Sequence, residues 1–143
     1  MIRGQLLHPE ILRALATAGH GSTVLITDGN FPHDTAPAPR ATRVYLNLSP
    51  GRLTASEVLA AVVSAIPIES AALMSPQEPT DWVPPAHADL AGLLPDGTEV
   101  RLLPRMSFYD ATRSDTLALV IATADTRVYA NVLLTIGVIL AEQ

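Results

Sequence analysis

A chain of 143 residues with 14 acidic and nine basic side chains has the size of one domain, and its net charge of −5 leaves no basic surplus for a nucleic-acid surface. Cysteine is absent, which excludes a disulfide framework and any thiolate metal site. No apolar run is long enough to span a bilayer, and the opening Met1-Ile2-Arg3-Gly4-Gln5 lacks the apolar stretch of a secretion signal, so the expectation is a soluble, cytoplasmic protein.

All nine basic residues are arginine and alanine is abundant, which reads as the codon bias of a GC-rich genome rather than as chemistry. The 12 prolines are scattered among apolar segments, as defined turns would be and a flexible linker would not. Neither a repeat nor a low-complexity tract divides the chain, so residues 1–143 are expected to form one domain.

Taken in order, Glu10 to Ala18 reads as a helix with Ile11, Leu12, Leu15 and Ala18 on one face and Gly19 as its stop. Thr23 to Thr27 is a short apolar strand ending at Asp28. Gly29 to Arg43 holds Pro32, Pro37 and Pro39 and is expected to be a long structured loop, followed by a strand from Val44 to Leu48. Thr54-Ala55-Ser56-Glu57 has capping-box spacing and opens a helix to about Ala65, with Val58, Leu59, Val62 and Val63 inward. A strand from Ile68 to Met74 follows. Pro84 and Pro85 then start a helix that runs to Leu94 and stops at Pro95-Asp96-Gly97. The remaining elements are a strand from Thr98 to Leu103, a helix from Ser107 to Arg113 with Ser107 and Asp110 in cap spacing, and strands from Thr116 to Ala122 and from Val132 to Ile139.

This alternation predicts an α/β domain of three layers, α/β/α, with a mainly parallel or mixed central sheet and helices on both faces. The strands are apolar throughout, as expected where both faces of a sheet are covered. In such folds ligands bind beyond the carboxyl ends of strands, which is where Asp28 falls.

Several residues carry candidate chemistry. His20 stands between Gly19 and Gly21, where the backbone is free and there is room for a ligand. An imidazole can take and give a proton near neutral pH. The alternative reading is a histidine that merely caps the helix. Asp28 is followed by Gly29-Asn30-Phe31-Pro32-His33; its carboxylate can orient an imidazole or bond sugar hydroxyls, or it can simply bond its own turn. His20, His33 and Asp28 lack the spacing of a recognised metal site. Arg105, Phe108 and Tyr109 cluster after one strand, and Tyr129 and Asn131 precede the last. Aromatic rings stack on the apolar faces of sugars, and amide and phenol groups bond hydroxyls, though rings and turn asparagines also serve as core and turn.

Together these segments are more specific than any one. Gly19-His20-Gly21, an apolar strand, Asp28-x-x-Phe31-Pro32, Arg105-x-x-Phe108-Tyr109 and Tyr129-Ala130-Asn131 with a tail ending in Gly137-Val138 resemble the RbsD/FucU family of D-ribose pyranases and L-fucose mutarotases. The likeness covers nearly the whole chain, from Ile11-Leu12-x-x-Leu15 onward. It implies an isomerase that interconverts sugar anomers or ring forms by acid–base ring opening and closure, without cofactor or metal. It also implies a homo-oligomer, often a ten-membered ring, with active sites near subunit contacts. His20 matches the family's catalytic histidine and Asp28 its partner carboxylate, with Asp28 orienting His20. Tyr129 and Asn131 match its sugar-binding pair, and Tyr129 offers a second proton path. Arg105, Tyr109 and Phe31-Pro32 resemble the fucose branch, and His33 joins the expected substrate contacts. Met106 stands near where ribose pyranases carry a second histidine, which moves the expected substrate towards fucose-like sugars. Gly29-Asn30 replaces the Ala-His that fucose mutarotases typically have. Pro76 to His87, with Trp82, aligns least well and is expected to shape specificity. The competing expectation is a sugar-binding or regulatory module of the same fold that does not catalyse.

Overall fold

The computed structural model describes residues 1–141. Ten elements follow one another: α1 (Pro9–Ala18), β1 (Thr23–Thr27), β2 (Thr42–Tyr45), α2 (Ala55–Val63), β3 (Ile68–Ser75), α3 (Ala86–Gly92), β4 (Glu99–Pro104), α4 (Arg105–Thr112), β5 (Leu117–Ala122) and β6 (Val132–Ile136). The strands form a mixed sheet of order β2-β5-β1-β6-β3-β4. Every pairing is parallel except those of β6, which runs antiparallel to both β1 and β3.

The apolar strands alternate between two cores. Val24, Ile26, Leu119, Ile121, Val132 and Leu134 face α1, α2 and α3. Leu25, Val120, Leu133 and Met74 face α4 and the loop that carries Phe31, Ala36, Ala38 and Ala41. Both faces of the central strands are therefore buried, which explains the lack of polar alternation in β1 and β5. The expected capping box is formed: Thr54 Oγ1 accepts from the Glu57 amide at 3.2 Å, and Glu57 Oε2 accepts from the Thr54 amide at 2.8 Å.

Several expectations are corrected. β4 is an edge strand whose residues are mostly exposed, Val100 and Leu102 included, so the strands are not all covered. β2 lies at Thr42–Tyr45 rather than 44–48, because after Leu46 bonds the Ala122 carbonyl the chain turns outward at Asn47-Leu48. α4 begins directly after Pro104, so Ser107 lies inside the helix and caps nothing. β6 stops at Ile136, since Gly137 turns aside to bond Pro67.

No helix among the described residues is long and apolar enough to cross a membrane.

Candidate active site

The reversal of β6 builds the site. It brings the residue just before β6, Asn131, beside the residue just after β1, Asp28. The Asp28 amide donates to Asn131 Oδ1 at 2.8 Å, and Asn131 Nδ2 donates to Asp28 Oδ2 at 3.0 Å. The Asn30 amide donates to Asp28 Oδ1 at 2.9 Å, closing a turn. Asp28 is only 3 % exposed. Burial pushes its carboxyl above the ordinary range, against the opposing pull of the Asn131 side chain and the backbone amides of Asn30, Phe31 and Tyr129. Such a group can hold or release a proton under milder conditions than a surface carboxylate.

Asp28 and Asn131 floor a cleft of about 250 Å³ walled by Asn30, Phe31, Met74, Arg105, Tyr109, Val128 and Tyr129. Phe31 and Tyr109 meet edge to face with centroids 5.4 Å apart. Tyr129 has φ of 64°, a left-handed conformation that costs a non-glycine residue on the order of 1–3 kcal/mol and persists only where its surroundings impose it. Here they do. Asp125, its side chain 1 % exposed, bonds the amides of Ala55 and Arg127 and the Arg127 guanidinium, which in turn reaches Asp89 at 2.7 Å and Ser56 at 3.0 Å. This knot fixes the chain on which Val128 and Tyr129 ride. Trp82 packs against Tyr129 at 5.9 Å, and Gln77 Oε1 accepts from the Met106 amide at 2.9 Å. The Pro76 to Trp82 segment thus walls an outer recess of about 400 Å³ that shares Arg105 and Tyr129 with the cleft. Among the described residues Arg105 has no ion-pair partner.

A wider recess of about 340 Å³ lies across the Gly29-Asn30 turn. Its carboxylate, Asp125, differs from Asp28 in being ion-paired: the Arg127 guanidinium and the amides of Arg127 and Ala55 hold it below the ordinary carboxylate range despite burial.

Of the seven residues singled out from the sequence, five converge here: Asp28, Arg105, Tyr109, Tyr129 and Asn131. Two do not. His20 precedes β1 while Asp28 follows it, and five strand residues at ~3.3 Å each separate them by about 16 Å. Asp28 therefore does not orient His20 within one copy. Instead His20 Nε2 lies 2.8 Å from Glu69 Oε2, with both side chains about half exposed at 57 % and 54 %. His33 turns inward: its Nε2 bonds the Asp28 carbonyl at 3.0 Å, and burial lowers its pKa. It braces the turn behind Asp28 and does not line the cleft. Among the described residues no three His, Asp or Glu side chains gather as a metal site requires.

Sequence reasoning missed Glu69, the Asp125–Arg127 knot and Arg43. The Arg43 guanidinium donates to the carbonyls of His33, Asp34, Pro37, Ala38 and Ala41, and so pins the loop that carries Phe31. Nothing local marks these partners. The one available signal was negative: an arginine inside an apolar segment needs acceptors.

Fold and cleft define a small α/β domain with a buried carboxyl beneath a polar and aromatic opening, a class that suits a hydroxyl-rich small molecule. The chain belongs to the RbsD / FucU transport protein family, whose model matches residues 1–139. It is 35% identical over 138 residues to a D-ribose pyranase of Paracidovorax citrulli, covering 96% of this chain and 98% of that one. It is 31% identical over 149 residues to a fucose mutarotase of Danio rerio, covering 96% and 93%. The structure of Bacillus subtilis RbsD complexed with D-ribose shares the fold, with a TM-score of 0.82, 21% identity and coverage of 98% and 100%. The relatives are thus sugar pyranases and mutarotases, isomerase-type proteins of sugar metabolism.

Proposed function

We propose that this protein is a cytoplasmic monosaccharide mutarotase acting on a fucose-like sugar, and that it works as a ring-forming homo-oligomer. The observation that carries the reading is the buried Asp28 carboxyl, held by Asn131 and backbone amides at the floor of a cleft of about 250 Å³. Arg105 and Tyr109 in the same wall favour a fucose-like substrate over ribose, although a ribose pyranase is among the more similar relatives.

Mutarotation removes the anomeric hydroxyl proton and protonates the ring oxygen, so the ring C–O bond breaks and an open aldehyde forms. Rotation about the adjoining carbon–carbon bond and reclosure deliver the other anomer, and the two protons return. Asp28 is suited to exchange one of them. Tyr129 is suited to relay the second, while Asn131, Arg105 and Tyr109 hold hydroxyls. His20 is exposed at the far end of β1, braced by Glu69. In an assembly it would serve the cleft of a neighbouring copy rather than its own. General acid–base catalysis of this kind typically contributes about 100- to 10,000-fold.

Exchange NMR on anomer mixtures tests the activity, with L-fucose accelerated more than D-ribose as the expected result. Unchanged exchange for both, and for related sugars, ends the mutarotase reading. Mixing His20→Ala with Asp28→Asn protein tests the shared site: random pairing restores about a quarter of intact sites if each needs two copies.

The distance between His20 and the cleft favours one other reading, a binding module without catalysis. Sugar binding without exchange would select it.

A further inference from the structure

A further opening lies on the other face of the sheet, and nearly all of its surface is apolar. It is a groove of about 270 Å³ between the segment before α1 and helix α2, lined by Leu6, Leu7, Ile11, Leu46, Leu53 and Val58. Leu7 and Leu53 remain 46% and 44% exposed. The carboxylate at its edge, Glu57, is engaged in the α2 capping box. The molecule also exposes an apolar segment elsewhere: Val138, Ile139 and Leu140, at 54%, 84% and 82%. Three consecutive bare aliphatic side chains and, apart from them, an open apolar groove indicate surfaces meant to be covered.

The topology decides whose groove the segment can fill. It leaves β6 beside the amino ends of β1 and β3, where Gly21 bonds Ile136 and Gly137 bonds Pro67. The groove lies at the opposite end, where Leu46 bonds Ala122 at the close of β5 and Ala124 bonds Leu53. Three residues reach roughly 10 Å. The sheet alone is about 16 Å long. The segment cannot reach the groove of its own copy.

We propose that Val138-Ile139-Leu140 of one copy docks into the Leu6–Leu7–Leu53 groove of the next. A cavity of about 150 Å³ lined by aliphatic residues holds a benzene-sized guest, so this groove suits one or two branched side chains. The contact is head to tail, joining two different surfaces, and such contacts propagate around a ring until it closes. It has the same polarity that His20 requires, from the amino end of β1 in one copy towards the carboxyl end in the next. The inference rests on the oligomeric reading above and names a contact that builds it.

The chain has no cysteine, which makes pairing experiments clean. Leu7→Cys or Leu53→Cys would be combined with Ile139→Cys or Leu140→Cys, oxidised, and run without reductant. A ladder of covalent multimers from double variants, absent from the single ones, is expected. In sedimentation, Ile139→Asp/Leu140→Asp protein is expected to need about tenfold or more protein for half-assembly, with an unchanged circular-dichroism melt for the dissociated chain. Wild-type protein that sediments as single copies would overturn both the ring reading and this contact. Wild-type protein that assembles, with no ladder from any pair and no effect of the aspartates, would overturn the contact alone.

Discussion

The two ends of β1 are built on opposite terms. At the carboxyl end Asp28 is buried, bonded through both oxygens and enclosed by residues from four separate segments. At the amino end His20 and Glu69 form a half-exposed pair. The difference teaches that one copy encloses the Asp28 carboxyl on its own but leaves the His20 imidazole open to solvent. Alteration of the buried end is therefore expected to affect both stability and exchange, and alteration of the exposed end exchange alone.

The largest effect is expected at the buried end. Asp28→Asn should slow anomer exchange by about 100- to 10,000-fold in NMR. It should also cost about 1–3 kcal/mol in denaturant melts, because the new amide faces the Asn131 donor. His20→Ala should slow exchange at the lower end of the same range yet leave stability within about 0.5 kcal/mol, as exposed positions do. Equal destabilisation by both variants would erase the contrast. Arg43→Ala should destabilise by about 2–4 kcal/mol and loosen the Phe31 wall, since it strips a charged donor from five carbonyls. Hydrogen exchange across residues 31–41 would register it.

The smallest effect concerns pH. Burial raises the folded-state pKa of Asp28 above 3.8, so the folded protein binds that proton more tightly than the unfolded chain. The stability this gives is complete below the ordinary carboxylate pKa and is lost as pH climbs through the raised value. Wild-type melting temperature, measured relative to Asp28→Asn, should therefore fall as pH rises through that window. A difference independent of pH would mean that Asp28 is not perturbed.

Much of the carboxyl end was legible from the chain alone. Strand β1, the turn at Asp28 and the Tyr129-Ala130-Asn131 segment are local features, and burial of both sheet faces left an apolar signature. What escaped was long-range and polar. His20 and Glu69 are 49 positions apart, and no periodicity links them. His33 was expected among the substrate contacts, but the turn folds its ring back onto the Asp28 carbonyl. Edge strand β4 read as buried because apolar content does not reveal which strand lacks a neighbour.

The reversed direction of β6 has a consequence for how the site tolerates change. Asp28 and Asn131 meet because Ile26 pairs with Val132 in the sheet register. Register in a sheet is a ratchet with two-residue symmetry: a slip of one position would turn Asn131 to the opposite face. Loops around the cleft can lengthen or shorten without moving this pair, whereas a single residue inserted within β1 or β6 would separate it. The cleft is thus gauged by the sheet, and its rim is free to diversify around a fixed floor.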